Sequence, residues 1–252
     1  MYEENYRDNL QNFIAENNFS QPRMETKTNS NKPIKLYIDY ISQPARAVLA
    51  LCKFNNIPHE VVEVRVFRNQ QKTSSYAQIN PLQKIPALDE EGFTLSESHA
   101  MMRYLCNSRN VAPNWYPQND VKQRARIDVY LDWHHLNTRR CTWFIVATRF
   151  PDAPYIKEQN MTAEGEKKHV MQTLKKIEDI FLQDKKFLCG EEMSIADLSA
   201  CCEIIQLHMV KFDFSPYPKI TKWLERCFES QIMKDVHSFL FSVLTKMQDS
   251  KL

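Results

Sequence analysis

The hydrophobic positions of this 252-residue chain form three successive patterns. They are sparse in residues 1–32, follow strand and helix spacing in 33–108, and follow helical spacing over 120–249. The segment 109–119 carries two prolines and several asparagines, a composition typical of linkers. We therefore predict a flexible polar N-terminal extension, an α/β domain, a linker and an all-helical domain.

The α/β pattern begins with Lys35–Tyr40, a β-branched and aromatic run that predicts a buried strand. A helical pattern follows it, and the run 60–66 predicts a second strand, parallel to the first because a crossover helix joins them. The polar segment 68–78 is predicted to be irregular. Turn residues at 89–92 predict a hairpin, and a helix is expected to begin near Ser98.

The remaining patterns are helical. One long helix is predicted over 120–150 and another over 162–182, where apolar residues recur at helical spacing. Ser194 and Asp197 stand at the capping-box positions of a further helix, with Asp in place of the usual Glu or Gln. Shorter helices are predicted over 218–228 and 232–248.

Charge and glycine content exclude several functions. With 33 basic and 31 acidic residues, the net charge of +2 creates no strong field for nucleic acid or an anionic membrane. Only three glycines are present, so the glycine-rich loops that cradle phosphates cannot form. The polar start has no features of a secretory signal, and no apolar run is long enough for a bilayer span. We expect no nucleic-acid and no membrane partner.

The cysteines and histidines do not indicate a metal site. Seven scattered cysteines without a C-x-x-C pair favour a reducing compartment, with most thiols acting as small buried apolar groups. His134 and His135 are adjacent, so on a helix they do not share a face. No carboxylate or cysteine completes a ligand set, and we predict no metal.

Ser42 is the first candidate chemical group, because it lies where the first strand meets the first helix. Its hydroxyl and the amides of the helix N-terminus can stabilise an anion, a thiolate included. The simpler interpretation is that Ser42 only caps its helix. Further along, a cis Ile85–Pro86 bond would leave the backbone of Ile85 free to pair with an extended peptide ligand, whereas a trans bond would be ordinary in an edge strand.

Glu97 and Ser98 form another candidate site at a helix N-terminus. Backbone amides and the Ser98 hydroxyl can bind a carboxylate, while Glu97 can hold an ammonium group. This pair matches the head group of an amino acid, although helix capping alone would also explain it.

Together with the order of the elements, these motifs resemble the glutathione S-transferases, and among them the theta class. The resemblance covers about residues 34–246 and implies a thioredoxin-like α/β domain followed by an all-α helical domain. It is carried by LYIDYISQPARAV (36–48), INPLQKIPAL (79–88), FTLSES (93–98), WYPQ (115–118), RARIDVYLDWHH (124–135), FLCG (187–190) and SIADL (194–198).

The resemblance implies a role for each matching residue in binding glutathione, which is a co-substrate, so that no further cofactor is expected. Ser42 would donate a hydrogen bond to the glutathione sulfur and lower its pKa, with Gln43 supporting the ligand. Lys84 would meet the glycine carboxylate. Ile85, before a cis Pro86, would pair with the cysteinyl main chain.

The same resemblance places Glu97 and Ser98 at the γ-glutamyl end of glutathione. An arginine near the sulfur and the electrophile is matched by Arg139, with Arg140 adjacent. These two side chains point about 100° apart on a helix, so one of them at most is expected to serve.

Two departures from the theta pattern affect the expected site. Gln71, followed by Lys72, stands where theta enzymes usually carry a histidine that reaches the glycine end of glutathione. Both residues can still attract a carboxylate, so binding is expected to persist, weakened. The sequence also ends at Leu252, where animal theta proteins continue with a segment over the active site, which predicts a more open site.

The resulting hypothesis is a transferase that joins glutathione to small hydrophobic electrophiles such as alkyl halides, epoxides and reactive esters, with peroxidase activity on organic hydroperoxides as a further expectation. A non-catalytic glutathione-binding scaffold is the alternative, and a cysteine-based redox protein is disfavoured because Ser42 is not a cysteine. The resemblance implies a homodimer. The terminal Ser250-Lys251-Leu252 matches the peroxisomal import signal, so an import receptor is an expected partner, with the cytoplasm as the alternative location.

Overall fold

The computed structural model describes residues 32–249. The predicted flexible extension lies outside the described residues except for Lys32. The predicted targeting tripeptide, Ser250, Lys251 and Leu252, also lies outside them.

A four-stranded mixed sheet in the order β2-β1-β3-β4 forms the centre of the first part of the chain. Its strands are β1 (Ile34–Ile38), β2 (His59–Glu63), β3 (Ala87–Glu90) and β4 (Phe93–Ser96). Its helices are α1 (Gln43–Phe54), α2 (Ser74–Ile79) and α3 (Ser98–Ser108). β1 pairs with β2 in parallel, as the sequence predicted, and with β3 in antiparallel orientation. This is the thioredoxin-like arrangement expected for the domain.

The structure differs from the prediction between β2 and β3. β2 ends at Glu63, three residues earlier than expected, and the segment predicted to be irregular contains α2 and two short 3₁₀ turns. The hairpin between β3 and β4 is confirmed. Its two loop residues, Glu91 and Gly92, have φ values of 53° and 93°, the left-handed pair that a tight hairpin turn requires.

The rest of the described chain is helical. Its helices are α4 (Val121–His134), α5 (Arg140–Arg149), α6 (Pro154–Glu158), α7 (Ala163–Lys176), α8 (Ile195–Ile204), α9 (Pro218–Glu229), α10 (Gln231–Val236) and α11 (Ser238–Asp249). α7 continues as a π-helix over Ile177–Leu182, and a 3₁₀ turn follows α8. All ten residues of α8 are buried, and α8 packs against α1 of the first domain. None of the described helices combines the length and apolar character needed to cross a membrane.

The prediction of one long helix over 120–150 is wrong, because the helix breaks between α4 and α5. At the break the backbone hydrogen bonds no longer join residues four apart. The Arg139 amide donates to the His134 carbonyl five residues back, and the next amides donate three residues back. The Asn137 side-chain amide also donates a hydrogen bond to the Trp133 carbonyl at 2.9 Å. Bonds of this kind redirect a helix, and here the break places Arg139 at the start of α5.

Asp197, on the first turn of α8, connects three parts of the helical domain. It is fully buried, and its carboxylate accepts hydrogen bonds from the Ser194 amide at 2.9 Å, the Leu188 amide at 2.9 Å and the Trp223 indole at 3.0 Å. Burial raises the pKa of this carboxyl, while the donated hydrogen bonds oppose the rise. The capping box predicted from the sequence is therefore confirmed.

Replacing Asp197 by alanine should destabilise the protein strongly. The Leu188 amide, the Ser194 amide and the Trp223 indole would each lose a buried acceptor, which costs about 1–3 kcal/mol per group. We expect the free energy of unfolding, measured in urea, to fall by about 3 kcal/mol or more. Asp213 is exposed, so Asp213→Ala serves as the control and should leave the urea midpoint of unfolding almost unchanged. Equal effects of the two substitutions would contradict this account of Asp197.

Candidate active site

The turn between β1 and α1 holds Ser42 at the N-terminus of α1. The buried Asp39 fixes the turn, because its carboxylate accepts hydrogen bonds from the Ile41 amide at 3.1 Å and the Val66 amide at 3.0 Å. Ser42 is the N-cap residue, yet its side chain makes no capping hydrogen bond. The half-buried hydroxyl faces a cavity instead. Ser42 therefore occupies the N-cap position, as the sequence predicted, but its side chain does not cap the helix.

Arg46, one turn further into α1, fastens this turn to the helical domain. Its guanidinium is fully buried and donates to the carbonyls of Tyr40 at 2.9 Å and Ile41 at 2.8 Å. The other terminal nitrogen donates to the carbonyl of Cys202 in α8 at 3.1 Å. The position of Ser42 relative to the helical domain thus depends on one buried cation shared by both domains.

The cavity beside Ser42 has a volume of about 590 Å³ and lies between the two domains. Polar groups, Ser42 among them, lie on the side of the first domain, and the opposite wall is mainly apolar. That wall is formed by Trp143, Ile145, Val146, Phe150, Tyr155 and Met209. The exposed Phe67 lines the same cavity from the first domain. An apolar space of this size next to a hydroxyl at a helix N-terminus fits a small hydrophobic molecule.

A second, more polar cavity of about 190 Å³ adjoins the first. Glu97 and Ser98 line it at the N-terminus of α3, where Glu97 has a φ of 67°. The two cavities share four lining residues, namely Pro44, Lys84, Ile85 and Arg139. A ligand that occupies both cavities would therefore cross the backbone of Lys84 and Ile85.

The segment between the cavities has the backbone conformation that the resemblance implied. The Ile85–Pro86 peptide bond is cis. The carbonyl of Lys84 is held from the first domain, where it accepts from the Tyr76 hydroxyl at 2.8 Å and from the Asn80 side chain at 2.7 Å. Ile85 and Pro86 both line the smaller cavity.

Gln71 and Lys72 line the larger cavity and not the smaller one, whereas Glu97 and Ser98 line only the smaller one. Gln71 is buried, and its side-chain oxygen has no hydrogen-bond partner. Because buried polar atoms are normally paired, this oxygen is available to accept a hydrogen bond from a donor on a ligand. Lys72 is exposed, and it adds a second lysine to the lining of the larger cavity beside Lys84.

Arg139 and Arg140 point in different directions, and only the first reaches the cavities. Arg139 lines both of them and pairs with Glu203 at 3.1 Å. Arg140 lines neither and pairs with the buried Glu166 of α7 at 2.6 Å. The prediction that included Arg140 in the electrophile site is thus corrected to Arg139, because adjacent residues at the start of a helix face different sides.

Gln43 and Glu203 contact each other where the two domains meet. The buried Gln43 lines the larger cavity, but its side-chain amide donates to Thr142 and to Glu203 at 3.3 Å, so it extends into the domain interface. Sequence reasoning missed Glu203. The available signal was a second carboxylate in the mainly apolar sequence of helix α8, where a buried charge needs partners.

Three histidines line the smaller cavity and form a cluster that sequence reasoning missed. The His99 ring lies 4.6 Å from that of His135 and 5.0 Å from that of His134, measured between ring centroids. Burial, with a smaller contribution from His135, lowers the pKa of His99 to about 3, and burial lowers the pKa of His134 well below its ordinary value. Within residues 32–249, no three His, Cys, Asp or Glu side chains are arranged to hold a metal ion.

Comparisons with known proteins agree with this architecture. Family models for the N-terminal and C-terminal domains of glutathione S-transferase match residues 36–113 and 139–231. Human glutathione S-transferase theta-1 is 37% identical over 223 residues, covering 86% of this chain and 90% of that protein. The apo structure of human glutathione S-transferase T1-1 superposes with a TM-score of 0.75 at 35% identity, covering 86% of this chain and 91% of the other.

A second solved structure, a human theta-class transferase in complex with the glutathione conjugate of 1-menaphthyl sulfate, superposes with a TM-score of 0.77. It is 30% identical and covers 88% of this chain and 92% of the other. The fold and the paired cavities thus define a two-domain transferase. The chain belongs to the glutathione S-transferase family, and the relatives described here are of the theta class.

The buried histidines should make the stability of the protein depend on pH. The folded-state pKa of His99 is about 3 against an ordinary value of 6.5, so between these values the unfolded chain takes up a proton that the folded protein does not. Stability is therefore lost as the pH falls from 6.5 towards 3, by about 1.4 kcal/mol per pH unit for this group alone.

The substitution His99→Gln should reduce that loss, measured by urea unfolding at pH 7.5 and 5.0. His169→Gln is the matched control, because His169 is exposed and its ring is solvated in both states. We expect the free energy of unfolding to differ less between pH 7.5 and pH 5.0 in His99→Gln than in the wild type. In His169→Gln it should differ as much as in the wild type. The same pH dependence in both variants would refute the assignment to His99.

Proposed function

We propose that this protein binds glutathione across the two cavities and joins it, through its sulfur, to small hydrophobic electrophiles. The observation that carries the proposal is the Ser42 hydroxyl, which is not used to cap α1 and faces the apolar cavity. A helix N-terminus favours negative charge, and a hydroxyl there can donate to a sulfur anion. Under this proposal glutathione is present as the thiolate near neutral pH.

The polar groups around the cavities suit the two ends of glutathione. The γ-glutamyl carboxylate would accept from Ser98 and the amides that begin α3, and its ammonium group would lie against Glu97. The glycine carboxylate would lie towards Lys72 and Lys84, and the NH₂ group of the Gln71 side chain, which lines the same cavity, would donate to it. A structure of human glutathione transferase theta-2 is described as a complex with glutathione and an unknown ligand, which supports extending this mode of binding to the present chain.

The apolar cavity would hold the electrophile next to the sulfur. In an alkyl halide or reactive ester, the thiolate attacks carbon, the carbon–sulfur bond forms and the leaving group departs with the bonding electrons. In an epoxide the same attack breaks a carbon–oxygen bond and opens the ring, and the oxygen, which stays attached to the product, takes the electrons and then a proton from water. Arg139 can stabilise the negative charge that develops on the leaving group, because it lines the same cavity. Holding both reactants in contact removes much of the entropic barrier.

We also propose reduction of organic hydroperoxides by the same thiolate. The sulfur attacks the terminal peroxide oxygen, the O–O bond breaks and an alcohol leaves, so that glutathione becomes a sulfenic acid. A second glutathione then attacks this sulfur, giving glutathione disulfide and water. The apolar cavity suits the hydrocarbon part of such a hydroperoxide.

The first test is glutathione-dependent turnover of wild type and Ser42→Ala, with a small alkyl halide and with cumene hydroperoxide. We expect kcat/KM to fall at least about tenfold in the variant while glutathione still binds, because the thiol loses its hydrogen-bond donor. Ser230→Ala is the matched control. Ser230 is also an N-cap serine without a capping hydrogen bond, but it lines neither cavity.

A folded wild-type protein that binds glutathione and turns over neither substrate would count against the transferase proposal. It would favour the alternative of a non-catalytic glutathione-binding scaffold. Equal loss of turnover in Ser42→Ala and Ser230→Ala would instead remove the specific role of Ser42.

The proposed peroxisomal location depends on the tripeptide Ser250-Lys251-Leu252. A fluorescent protein ending in these three residues should accumulate in peroxisomes, and the same reporter without the leucine should remain in the cytoplasm. A diffuse signal from both reporters would favour the cytoplasm.

The proposed homodimer is supported by the resemblance to the family. Sedimentation of the purified full chain tests it, and a measured mass equal to that of the monomer would overturn it.

A further inference from the structure

Glu203 is a charged residue with almost no exposure to solvent, at the point where the two domains meet. Only 1% of its side chain is exposed. The carboxylate accepts from the Arg139 guanidinium at 3.1 Å, the Thr142 amide at 3.1 Å, the Thr142 hydroxyl and the Gln43 side chain at 3.3 Å. Each of these four donors replaces a hydrogen bond to water that the carboxylate loses on burial.

The donors to Glu203 come from both sides of the candidate active site. Gln43 begins α1 directly after Ser42, whereas Arg139 and Thr142 belong to the break and the first turn of α5. Glu203 also lines the smaller cavity. It therefore joins the turn that carries the candidate thiol-activating hydroxyl to Arg139, a cationic side chain of the helical domain that lines both cavities.

The neighbouring ion pair shows what a purely structural pair looks like in this fold. Arg140 pairs with Glu166, a carboxylate whose side chain is 4% exposed, and the two arginines have similar exposed fractions of 28% and 32%. Glu166 and Arg140 line neither cavity. Both pairs join an arginine to a buried glutamate, and the two arginines are adjacent in the sequence. The pairs differ in their contact with the cavities and in their hydrogen bonds, because one oxygen of Glu166 has no partner.

We propose that Glu203 is a positioning residue that acts through Arg139. It holds the guanidinium at the junction of the two cavities, where the sulfur and the electrophile meet in the proposed function, on which this inference rests. Without the carboxylate, Arg139 would lose its anchor. In Glu203→Gln the new amide can still accept from Thr142, but its NH₂ group cannot accept from Arg139, so the substitution removes mainly the ion pair.

The test compares Glu203→Gln, Arg139→Ala, the double variant and Glu166→Gln. With a small alkyl halide at saturating glutathione, we expect Glu203→Gln to lower kcat/KM for the halide about tenfold, with the KM for glutathione changed less than about twofold. In the Arg139→Ala background the same substitution should lower kcat/KM by less than about twofold, because its target is already absent. Glu166→Gln should leave kcat/KM within about twofold of wild type.

Two outcomes of the kinetics would overturn the proposal. An undiminished tenfold loss in the Arg139→Ala background would mean that Glu203 acts independently of Arg139. An equal loss in Glu166→Gln would mean that any broken buried ion pair disturbs the site, so that Glu203 has no special role.

A second measurement does not require turnover. Phenylglyoxal modifies accessible guanidinium groups, and peptide mapping by mass spectrometry gives the rate at each arginine. We expect the rate at Arg139 to rise at least about fivefold in Glu203→Gln, with the rise at Arg140 confined to Glu166→Gln. An unchanged rate at Arg139 overturns the positioning role. Absence of wild-type turnover overturns the proposed function, and the modification rates then still decide whether Glu203 holds Arg139.

Discussion

The structure depends most on the contact between α1 and α8, where two charged side chains are buried between the domains. Arg46 of α1 donates to the turn that holds Ser42 and to the carbonyl of Cys202 in α8. Glu203, the next residue of α8, accepts from Gln43 in α1 and from the start of α5. A buried charge is tolerated only when its partners are fixed, so this contact constrains the relative position of the two domains.

The cavities follow from that constraint. The first domain supplies polar groups at two helix N-termini, and the helical domain supplies an apolar wall and Arg139. Neither domain encloses the larger cavity alone. Because the domains meet through hydrogen bonds with defined directions, the hydroxyl of Ser42 and the guanidinium of Arg139 face the same space with little freedom to drift apart.

The break between α4 and α5 has a functional consequence. The change in hydrogen bonding over residues 135–139 redirects the chain, so that Arg139 lines the cavities while Arg140 faces α7 and pairs with Glu166. An uninterrupted helix would have presented its faces at a constant angle through this region. Breaks of this kind are frequent at functional sites, where a side chain must leave the register of its helix.

Much of this protein is encoded locally. The β1 run, the hairpin turn at Glu91-Gly92 and the capping box of α8 were predicted from the sequence and confirmed, because each depends on residues close together in the chain. The family was recognisable for the same reason, since its motifs are short and contiguous. Other features depend on side chains from distant elements. They are the partners of Glu203, the unpaired oxygen of Gln71, the histidine cluster and the choice of Arg139 over Arg140. Only the tertiary structure decided these features, because contacts between residues 26 to 160 positions apart leave no periodic or local signal in the sequence.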